Sequence, residues 1–317
     1  MLFAILQVLL GIGLLYAGGE LLVDNSIRLA KRFGVSSLVI GLTVVAFATS
    51  APELAATITA ALQGVPDIAI GNVLGSNVAN LGLILGTAAL VFPLSTTLRF
   101  IRREVAFMVF VTILVYPAMA TGLYLSRVEG FLLLLMLGIF IATQLRETSG
   151  KGEAADSEAA DDTDNDRAVG LLLLLIAVGV GLLVGGAQAL VGGAKVIATA
   201  LGVPDRVIGL TVVALGTSLP ELAAAVVAAR RHEGDLVLGN VIGSNIFNLL
   251  CILGITTLVH PIRVAPEALQ LDYWVVLGIS ILVLLALAFQ RRLGRVEGAL
   301  LLAVYLGYSI YLFVAGS

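Results

Sequence analysis

The feature that most restricts how this chain can fold is a succession of apolar segments about as long as a membrane is thick. Apolar runs of roughly 20 residues follow one another, and a helix of that length crosses a ~30 Å hydrocarbon core. Only 12% of the residues are charged, about half the share that is usual in a soluble domain. The mean hydropathy is +1.08. We therefore expect an all-α integral membrane protein with many spans.

Charged residues, prolines and glycines divide these runs into ten candidate spans. They lie near residues 3–30, 37–62, 67–92, 103–124 and 128–145, then near 168–199, 205–229, 235–259, 271–290 and 296–315. Between the two sets, residues Glu147–Asp166 carry eight of the 21 acidic residues and few large apolar ones. That composition predicts a solvated linker. The predicted domains are residues 1–146, the acidic linker 147–166, and residues 167–317.

The two halves of the chain repeat each other at an offset of 168 residues. Ten of 13 positions are identical between Gly41–Glu53 and Gly209–Glu221, and 11 of 16 between Gly71–Gly86 and Gly239–Gly254. Each half is thus predicted to be a five-span unit. Because five is odd, the second unit must start on the opposite side of the membrane, which makes the halves inverted repeats.

The distribution of basic residues predicts the orientation of these spans. With the N-terminus outside, the inner loops contain 14 of the 18 lysines and arginines, and the outer loops contain four. This asymmetry follows the rule that positive charges stay on the cytoplasmic side. The acidic linker is then cytoplasmic, and we expect a multi-pass protein of the cell inner (plasma) membrane.

The most unusual repeated segments place a carboxylate and a proline inside a span. Val44–Ala56 reads VVAFATSAPELAA, and Val212–Ala224 reads VVALGTSLPELAA. A carboxylate at the middle of a span costs roughly 2.5–3.5 kcal/mol on insertion, and no basic residue lies at a comparable depth to neutralise Glu53 or Glu221. A cation from solution, or a proton, is the simplest partner; the alternative is a glutamate that stays protonated and only packs between helices.

The prolines in these segments are expected to leave backbone carbonyl oxygens without their usual helical partner. Pro52 and Pro220 have no N–H, so the helix is expected to open there and turn nearby carbonyls, from Ala46 and Ala214 onward, into a cavity. Hydroxyl groups are available at the same level. They belong to Thr49, Ser50, Thr217 and Ser218.

The third and eighth predicted spans carry a second pair of matching segments, GNVLGSNVAN (Gly71–Asn80) and GNVIGSNIFN (Gly239–Asn248). Polar side chains recur there at every fourth residue and share one helical face. Glycines four apart allow close helix packing, so each helix is expected both to pack tightly and to present oxygens. The polar residues are Asn72, Ser76 and Asn80 in the first segment, and Asn240, Ser244 and Asn248 in the second.

All these candidate ligands are oxygen donors, and neither histidine nor cysteine is among them. Hard cations such as Ca²⁺ and Na⁺ prefer oxygen, whereas zinc and copper prefer nitrogen and sulfur. Mg²⁺ loses its water reluctantly and suits such a crowded cage less well. Ca²⁺ is the preferred interpretation.

Taken in pairs, these segments resemble the α-repeats of the Ca²⁺/cation antiporter superfamily, and the whole chain is similar to a prokaryotic sodium/calcium exchanger. The resemblance implies a fold of ten transmembrane helices as two inverted five-helix repeats with four central ion sites, and it implies that the first and sixth spans slide as a gate. Carried over residue by residue, it implies ligands at Ala46, Thr49, Ser50, Glu53, Ser76 and Asn80, and at Ala214, Thr217, Ser218, Glu221, Ser244 and Asn248.

The predicted function is a secondary antiporter that exports Ca²⁺ in exchange for Na⁺. Some members of the superfamily have Asp where this chain has Asn248, so a potassium requirement is not expected. Exchange of Ca²⁺ for H⁺ through Glu53 and Glu221 remains open, since the same carboxylates serve both reactions. No resident cofactor and no nucleic-acid partner are expected; the partners are the transported ions and the lipid bilayer, and a monomer is sufficient.

Two other classes of function are less compatible with the sequence. Channels are mostly built as oligomeric rings around a pore, whereas an inverted repeat within one chain suits alternating access. An intramembrane hydrolase using Ser50 or Ser218 would need a base, but His232 and His260 lie at the ends of spans. The protein is therefore not expected to be an enzyme.

Overall fold

The computed structural model of the protein describes residues 1–149, 168–202 and 216–315. Within these ranges the chain is almost entirely helical. Eight helices are long and apolar enough to cross a membrane, or nine spans if one bent pair of helices is counted as a single span. The helices are α1 (Leu2–Phe33), α2 (Ser37–Thr49), α3 (Ala51–Leu62), α4 (Pro66–Val91), α5 (Leu98–Ala120), α6 (Arg127–Ser149), α7 (Val169–Ala200), α8 (Leu219–Arg230), α9 (Gly234–Val259), α10 (Ala268–Gln290) and α11 (Arg295–Ala315).

Nine of the ten predicted spans correspond to a helix or to the bent pair α2 and α3. The seventh predicted span, residues 205–229, is described only in its second half, as α8; its first half lies in residues 203–215, outside the described part of the chain. The predicted linker likewise lies outside it from residue 150 onward.

The fourth predicted span was placed too late in the chain. Residues 103–124 were predicted, whereas α5 runs from Leu98 to Ala120. The Thr97 side chain accepts a hydrogen bond from the Phe100 backbone N–H (3.3 Å) and so caps the helix. The arginines that suggested a loop occupy its first turns, among them Arg99. This shift puts Glu104 inside α5, where its side chain is buried.

The two longest helices, α1 and α7, pack against each other along most of their length. Each has 32 residues, about 48 Å, so each can cross the hydrocarbon core with a tilt. Glycines bring the two backbones together: a Cβ added at Gly11 would lie 2.7 Å from the Gly186 carbonyl oxygen, and one at Gly18 would lie 2.7 Å from the Gly179 oxygen. Small residues are the usual means of close helix packing in lipid.

Helix α9 occupies the centre of the molecule. Every residue from Leu236 to Phe247 is buried. Glycines of α9 and of α2 bring these two helices together: a Cβ added at Gly243 of α9 would lie 2.7 Å from the Leu42 carbonyl oxygen, and one added at Gly41 of α2 would lie 2.8 Å from the Leu236 oxygen. The predicted close packing is therefore present for the second glycine pair. A Cβ added at Gly71 or at Gly75 would meet no described atom within 4 Å.

Equivalent positions of the two halves make equivalent contacts near the helix ends. Four two-residue strands, β1 (Leu94–Ser95), β2 (Tyr124–Leu125), β3 (Ile262–Arg263) and β4 (Arg292–Leu293), form two antiparallel ladders, β1 with β4 and β2 with β3. The first residues of α6 and α11 behave in the same way. Arg127 donates from Nε to the Leu258 carbonyl (3.1 Å), and Arg295 donates to the Leu90 carbonyl (3.3 Å).

Candidate cation-binding site

The two glutamates of the repeated segments begin two short helices. Both α3 and α8 have 12 residues, with the glutamate in the first turn and a proline among the first two residues. The residue before each helix has nearly the same backbone conformation: Ser50 has φ −82° and ψ 2°, and Ser218 has φ −90° and ψ 0°. Each break therefore follows the same local sequence.

The prolines start a helix rather than interrupt one. The axes of α2 and α3 differ by 43°, and Pro52 lies where a helix needs no N–H from its own first residues. The break does not leave the Ala46 carbonyl without a partner, because it accepts a hydrogen bond from the Ser50 N–H (3.0 Å). A carbonyl oxygen has a second lone pair, so Ala46 retains the capacity to bind one cation.

Glu53 and Glu221 lie close together although 168 residues separate them. Each side chain is 2% exposed, and the two carboxylates are near enough to repel each other electrostatically. The Thr49 hydroxyl, which lies near Glu221, donates to the Asn240 Oδ1 (3.4 Å). Among the described residues, the Oε2 atom of each glutamate has no hydrogen-bond partner.

The helices α4 and α9 supply buried hydroxyl and amide groups. Asn80 and Ser76 are buried on α4, and Ser244 and Asn248 are buried on α9. In the described part of the chain, the Ser244 Oγ and the Asn248 Oδ1 find no hydrogen-bond partner. Two carboxylate oxygens and these two neutral oxygens are thus buried and available. Leaving such oxygens unpaired is costly unless something else contacts them.

The remaining predicted ligands have different environments. Thr49, Ser50, Ala46 and Ser218 are buried, and the Ala46 Cβ lies on the face of α2 that contacts Gly243. Thr217 is only half-buried and lines an apolar cavity of about 550 Å³ between α7 and the two prolines. Ala214 lies outside the described residues.

The structure assigns Asn72 a different contact from the one that the helical repeat suggested. Its amide donates to the Glu53 backbone carbonyl (3.2 Å) and to the Thr57 hydroxyl (2.9 Å). Thr57 also donates to the same carbonyl (2.7 Å). Asn72 therefore holds the start of α3 against α4 through its NH₂ group.

Two buried asparagines were not singled out from the sequence. Asn77 accepts a hydrogen bond from the Asn248 Nδ2 (3.2 Å), and Asn245 donates to the Val241 carbonyl (3.2 Å). They follow Ser76 and Ser244 in both copies of the repeated segment, and this duplication is the signal that could have identified them. Each lies about 100° around the helix from its serine, and so lies off the polar face that every fourth residue defines.

A third buried carboxylate, Glu104, belongs to a different part of the molecule. It is 5% exposed and accepts a hydrogen bond from the Gln144 amide (3.1 Å). It lines a separate cavity of about 270 Å³ with Asp235. The equivalent position in the second half is Asp272, which accepts a hydrogen bond from the Tyr308 hydroxyl (2.8 Å). These pairs connect neighbouring helices and are not part of the predicted ligand set.

The donor set of the candidate site limits its chemistry. No group of three or more histidine, cysteine, aspartate or glutamate side chains is present in residues 1–149, 168–202 and 216–315. The buried, available groups are two carboxylates with neutral oxygens around them, and the ion pairs found in these ranges do not involve either glutamate. This is the ligand chemistry of a hard cation such as Ca²⁺ or Na⁺.

A helical membrane protein with buried oxygen donors of this kind is, by class, a cation transporter, and comparison with known proteins identifies the family. The family model described as sodium/calcium exchanger protein matches residues 3–146 and 171–314. The chain is 38% identical over 322 residues to the putative antiporter CaxA of Alkalimonas amylolytica, covering 99% of each chain. It is 36% identical over 342 residues to the sodium/calcium exchanger MaX1 of Methanosarcina acetivorans, covering 97% of this chain and 98% of that one.

A solved structure gives the same result for the fold. The sodium-calcium exchanger NCX_Mj, soaked with 10 mM Na⁺ and no Ca²⁺, matches with a TM-score of 0.80 at 36% identity, over 96% of this chain and 97% of that one. The protein therefore belongs to the sodium/calcium exchanger family of the Ca²⁺/cation antiporter superfamily, and is a multi-pass membrane antiporter with an NCX_Mj-like fold. This family consists of transporters rather than enzymes.

Proposed function

We propose that the protein exports Ca²⁺ in exchange for Na⁺ by alternating access at a site in the middle of the membrane. The observation that carries this proposal is the pair Glu53 and Glu221, which are buried, near each other, and each left with an oxygen that no described residue contacts. Two buried negative charges without a basic partner require cations, and exchangeable cations are the cargo of this family. Relatives named as an antiporter and as a sodium/calcium exchanger support the choice of ions.

The proposed ligand set combines both carboxylates with the oxygens around them. The carboxylates provide charge, and the hydroxyls, amides and carbonyls replace the water that an ion loses on entry. The set comprises Ala46, Thr49, Ser50, Glu53, Ser76 and Asn80 from the first half, and Ala214, Thr217, Ser218, Glu221, Ser244 and Asn248 from the second.

The proposed architecture is ten spans arranged as two inverted five-helix repeats. In this proposal the seventh span, residues 205–229, is the repeat counterpart of the bent pair α2 and α3. The paired ladders β1·β4 and β2·β3, together with the equivalent contacts of Arg127 and Arg295, support a two-fold relation between the halves. The excess of basic residues in alternate loops supports an outside N-terminus, a cytoplasmic linker (147–166) and insertion in the inner (plasma) membrane.

The proposed gate is the pair of long helices α1 and α7. Their contact is continuous and formed by small residues, so the pair can move as one body relative to the others. Its surroundings differ between the halves: α1 packs on α8, where a Cβ at Gly19 would lie 2.9 Å from Val227, whereas a cavity of about 550 Å³ separates α7 from Pro52. Of the proposed ligands, that cavity reaches Thr217. A monomer contains every part that this motion requires.

Charge counting gives the direction of transport. With both glutamates ionised the empty site carries −2, one Ca²⁺ brings it to 0, and three Na⁺ bring it to +1. The family resemblance provides the 3:1 ratio. Each full charge moved is worth ~2.3 kcal/mol per 100 mV, so a membrane that is negative inside drives Na⁺ inward and Ca²⁺ outward.

The experiment that tests this function is Ca²⁺ uptake into proteoliposomes loaded with Na⁺, with the pH clamped equal on both sides. We expect uptake that depends on the outward Na⁺ gradient and is lost in Glu53→Gln and in Glu221→Gln. Glu129→Gln is the matched control, because Glu129 caps the start of α6 by contacting Ser126 and does not belong to the proposed ligand set.

Two results would contradict the proposal. Uptake that follows an imposed pH gradient and ignores Na⁺ would identify Ca²⁺/H⁺ exchange through the same carboxylates. Normal exchange by either glutamine variant would show that the ions bind elsewhere.

A further inference from the structure

We infer that Asn77 is a positioning residue that turns the side-chain oxygen of Asn248 toward the transported cation. This inference rests on the proposed function, in which Asn248 is a ligand. Asn77 is fully buried on α4, and it faces Asn248 on α9 from the other half of the chain. It is absent from the ligand set that the family resemblance implies.

The argument starts from the two unlike ends of an amide group. An asparagine side chain ends in an oxygen, which binds cations, and in an NH₂ group, which only donates hydrogen bonds. The two ends have almost the same shape, so packing alone does not determine which one faces a cavity. A hydrogen-bond partner does.

At Asn248 that partner is Asn77. The Asn248 Nδ2 donates to the Asn77 Oδ1 at 3.2 Å. The bond occupies the NH₂ end and leaves the Asn248 Oδ1 buried without a hydrogen-bond partner among the described residues. The Asn77 Nδ2 is itself buried without a hydrogen-bond partner among the described residues, so the two amides can also pair in the reverse sense, with Asn77 donating to the Asn248 Oδ1. A cation on the Asn248 Oδ1 excludes that reverse pairing, and the Asn77 Oδ1 then gives the buried Asn248 Nδ2 the acceptor that it needs, which holds Asn248 in the orientation that binds the cation.

The equivalent asparagine of the other half makes no such contact. Position 245 corresponds to position 77, yet Asn245 donates to the Val241 carbonyl of its own helix at 3.2 Å. The amide-to-amide bond thus occurs on one side of the two-fold relation only. The Asn248 NH₂ group therefore has an acceptor on the other half of the chain, whereas Asn245 does not provide one for Asn80.

The test compares Asn77→Leu with its repeat counterpart Asn245→Leu. Leucine has a similar branched shape and cannot accept a hydrogen bond. Losing one net hydrogen bond between neutral groups corresponds to about a 2- to 12-fold change in an equilibrium constant. We expect Asn77→Leu to weaken Ca²⁺ binding to the purified protein by that factor, and Asn245→Leu to change it less than about 2-fold. Asn77→Ala gives the same measurement in a smaller side chain if the leucine variant does not fold.

A double-mutant cycle separates positioning from a general effect on packing. In an Asn248→Ala background no amide remains to be oriented, so Asn77→Leu should then change Ca²⁺ binding less than about 2-fold. Equal losses in both backgrounds, or wild-type affinity in Asn77→Leu, would overturn the inference. Binding is measured by equilibrium titration, so that variants with slow transport still give a value.

Failure of the inference and failure of the proposed function give different results. If the wild-type protein neither binds nor exchanges Ca²⁺, the proposed function is wrong and the inference falls with it. If the wild-type protein does both and the cycle shows no coupling, Asn248 retains its proposed role and only the role of Asn77 is wrong.

Discussion

Changing Asn248 to Asp is expected to move the voltage-sensitive step of the transport cycle from Na⁺ to Ca²⁺. In the wild-type protein the buried charge of the proposed site comes from Glu53 and Glu221 alone, because Asn248, at 1% exposed, is neutral. The loaded site then carries 0 with Ca²⁺ and +1 with three Na⁺. A third carboxylate makes these charges −1 and 0. The net charge moved in a full cycle stays the same, but in the variant the Ca²⁺-loaded step carries it instead of the Na⁺-loaded step.

The size of the effect follows from the depth of the site. One full charge crossing the membrane is worth ~2.3 kcal/mol per 100 mV, and 1.4 kcal/mol is a factor of ten. The ratio of inward-facing to outward-facing loaded sites can therefore change by at most about 40-fold at 100 mV. A half step without net charge should not respond at all.

Isotope exchange at a clamped potential measures each half of the cycle separately. Proteoliposomes are held at zero potential or at about 100 mV of either sign with potassium and valinomycin, and radioactive calcium or sodium is exchanged against the same ion. We expect wild-type Ca²⁺/Ca²⁺ exchange to be independent of voltage and Na⁺/Na⁺ exchange to depend on it. Asn248→Asp should reverse the two responses.

A charge added away from the site provides the control. Gln63 is exposed at the end of α3, so Gln63→Glu adds the same charge without placing it on the path of the ions. It should behave like the wild-type protein. Wild-type Ca²⁺/Ca²⁺ exchange as voltage-dependent as Na⁺/Na⁺ exchange, or an unchanged pattern in Asn248→Asp, would refute the charge count.

Two further predictions concern stability rather than transport. Gln144→Leu removes the amide that donates to Glu104 and leaves a buried carboxylate oxygen unpaired. The free energy of unfolding should fall by about 1–3 kcal/mol, while the Ca²⁺ affinity stays unchanged. A matching loss of Ca²⁺ affinity would contradict the separation of Glu104 from the candidate cation site. Gly239→Ala adds a Cβ within 3.0 Å of the Leu42 N–H nitrogen and should destabilise the protein by about 1–3 kcal/mol, measured by thermal unfolding in detergent. Gly138→Ala in α6 is the control, because no described atom lies within 4 Å of the added Cβ. Equal melting temperatures for Gly239→Ala and Gly138→Ala would show that α2 and α9 can move apart without loss of stability.

The positions of most helices could be predicted because the determining property is local. An apolar run of about 20 residues can satisfy its backbone only as a helix in lipid, so α1, α4, α7 and α9 begin and end within a few residues of the predicted spans. The exception is α5, which starts at Leu98 because Thr97 caps it. Arginines can occupy the first turns of a helix where these lie near the membrane interface. Charge alone could not distinguish that helical turn from a loop.

The types of residue in the candidate site could also be read from the repeat, but their partners could not. Two matching carboxylates with hydroxyls and amides predict a cation ligand set from chemistry alone. That Thr49 pairs with Asn240, and Asn77 with Asn248, depends on how helices from different halves pack. The same applies to Asn72, whose NH₂ group donates to the Glu53 backbone carbonyl of another helix.

The sequence by itself determined the class of the protein, its repeated half and the chemistry of the ligands it offers, because hydrophobic length, duplication and side-chain type are all properties of single segments. Only the tertiary structure decided which oxygens are left without a partner and which are already used. A hydrogen bond or an electrostatic contact acts over a few ångströms, and the residues that compete for each buried oxygen here come from positions up to 191 residues apart.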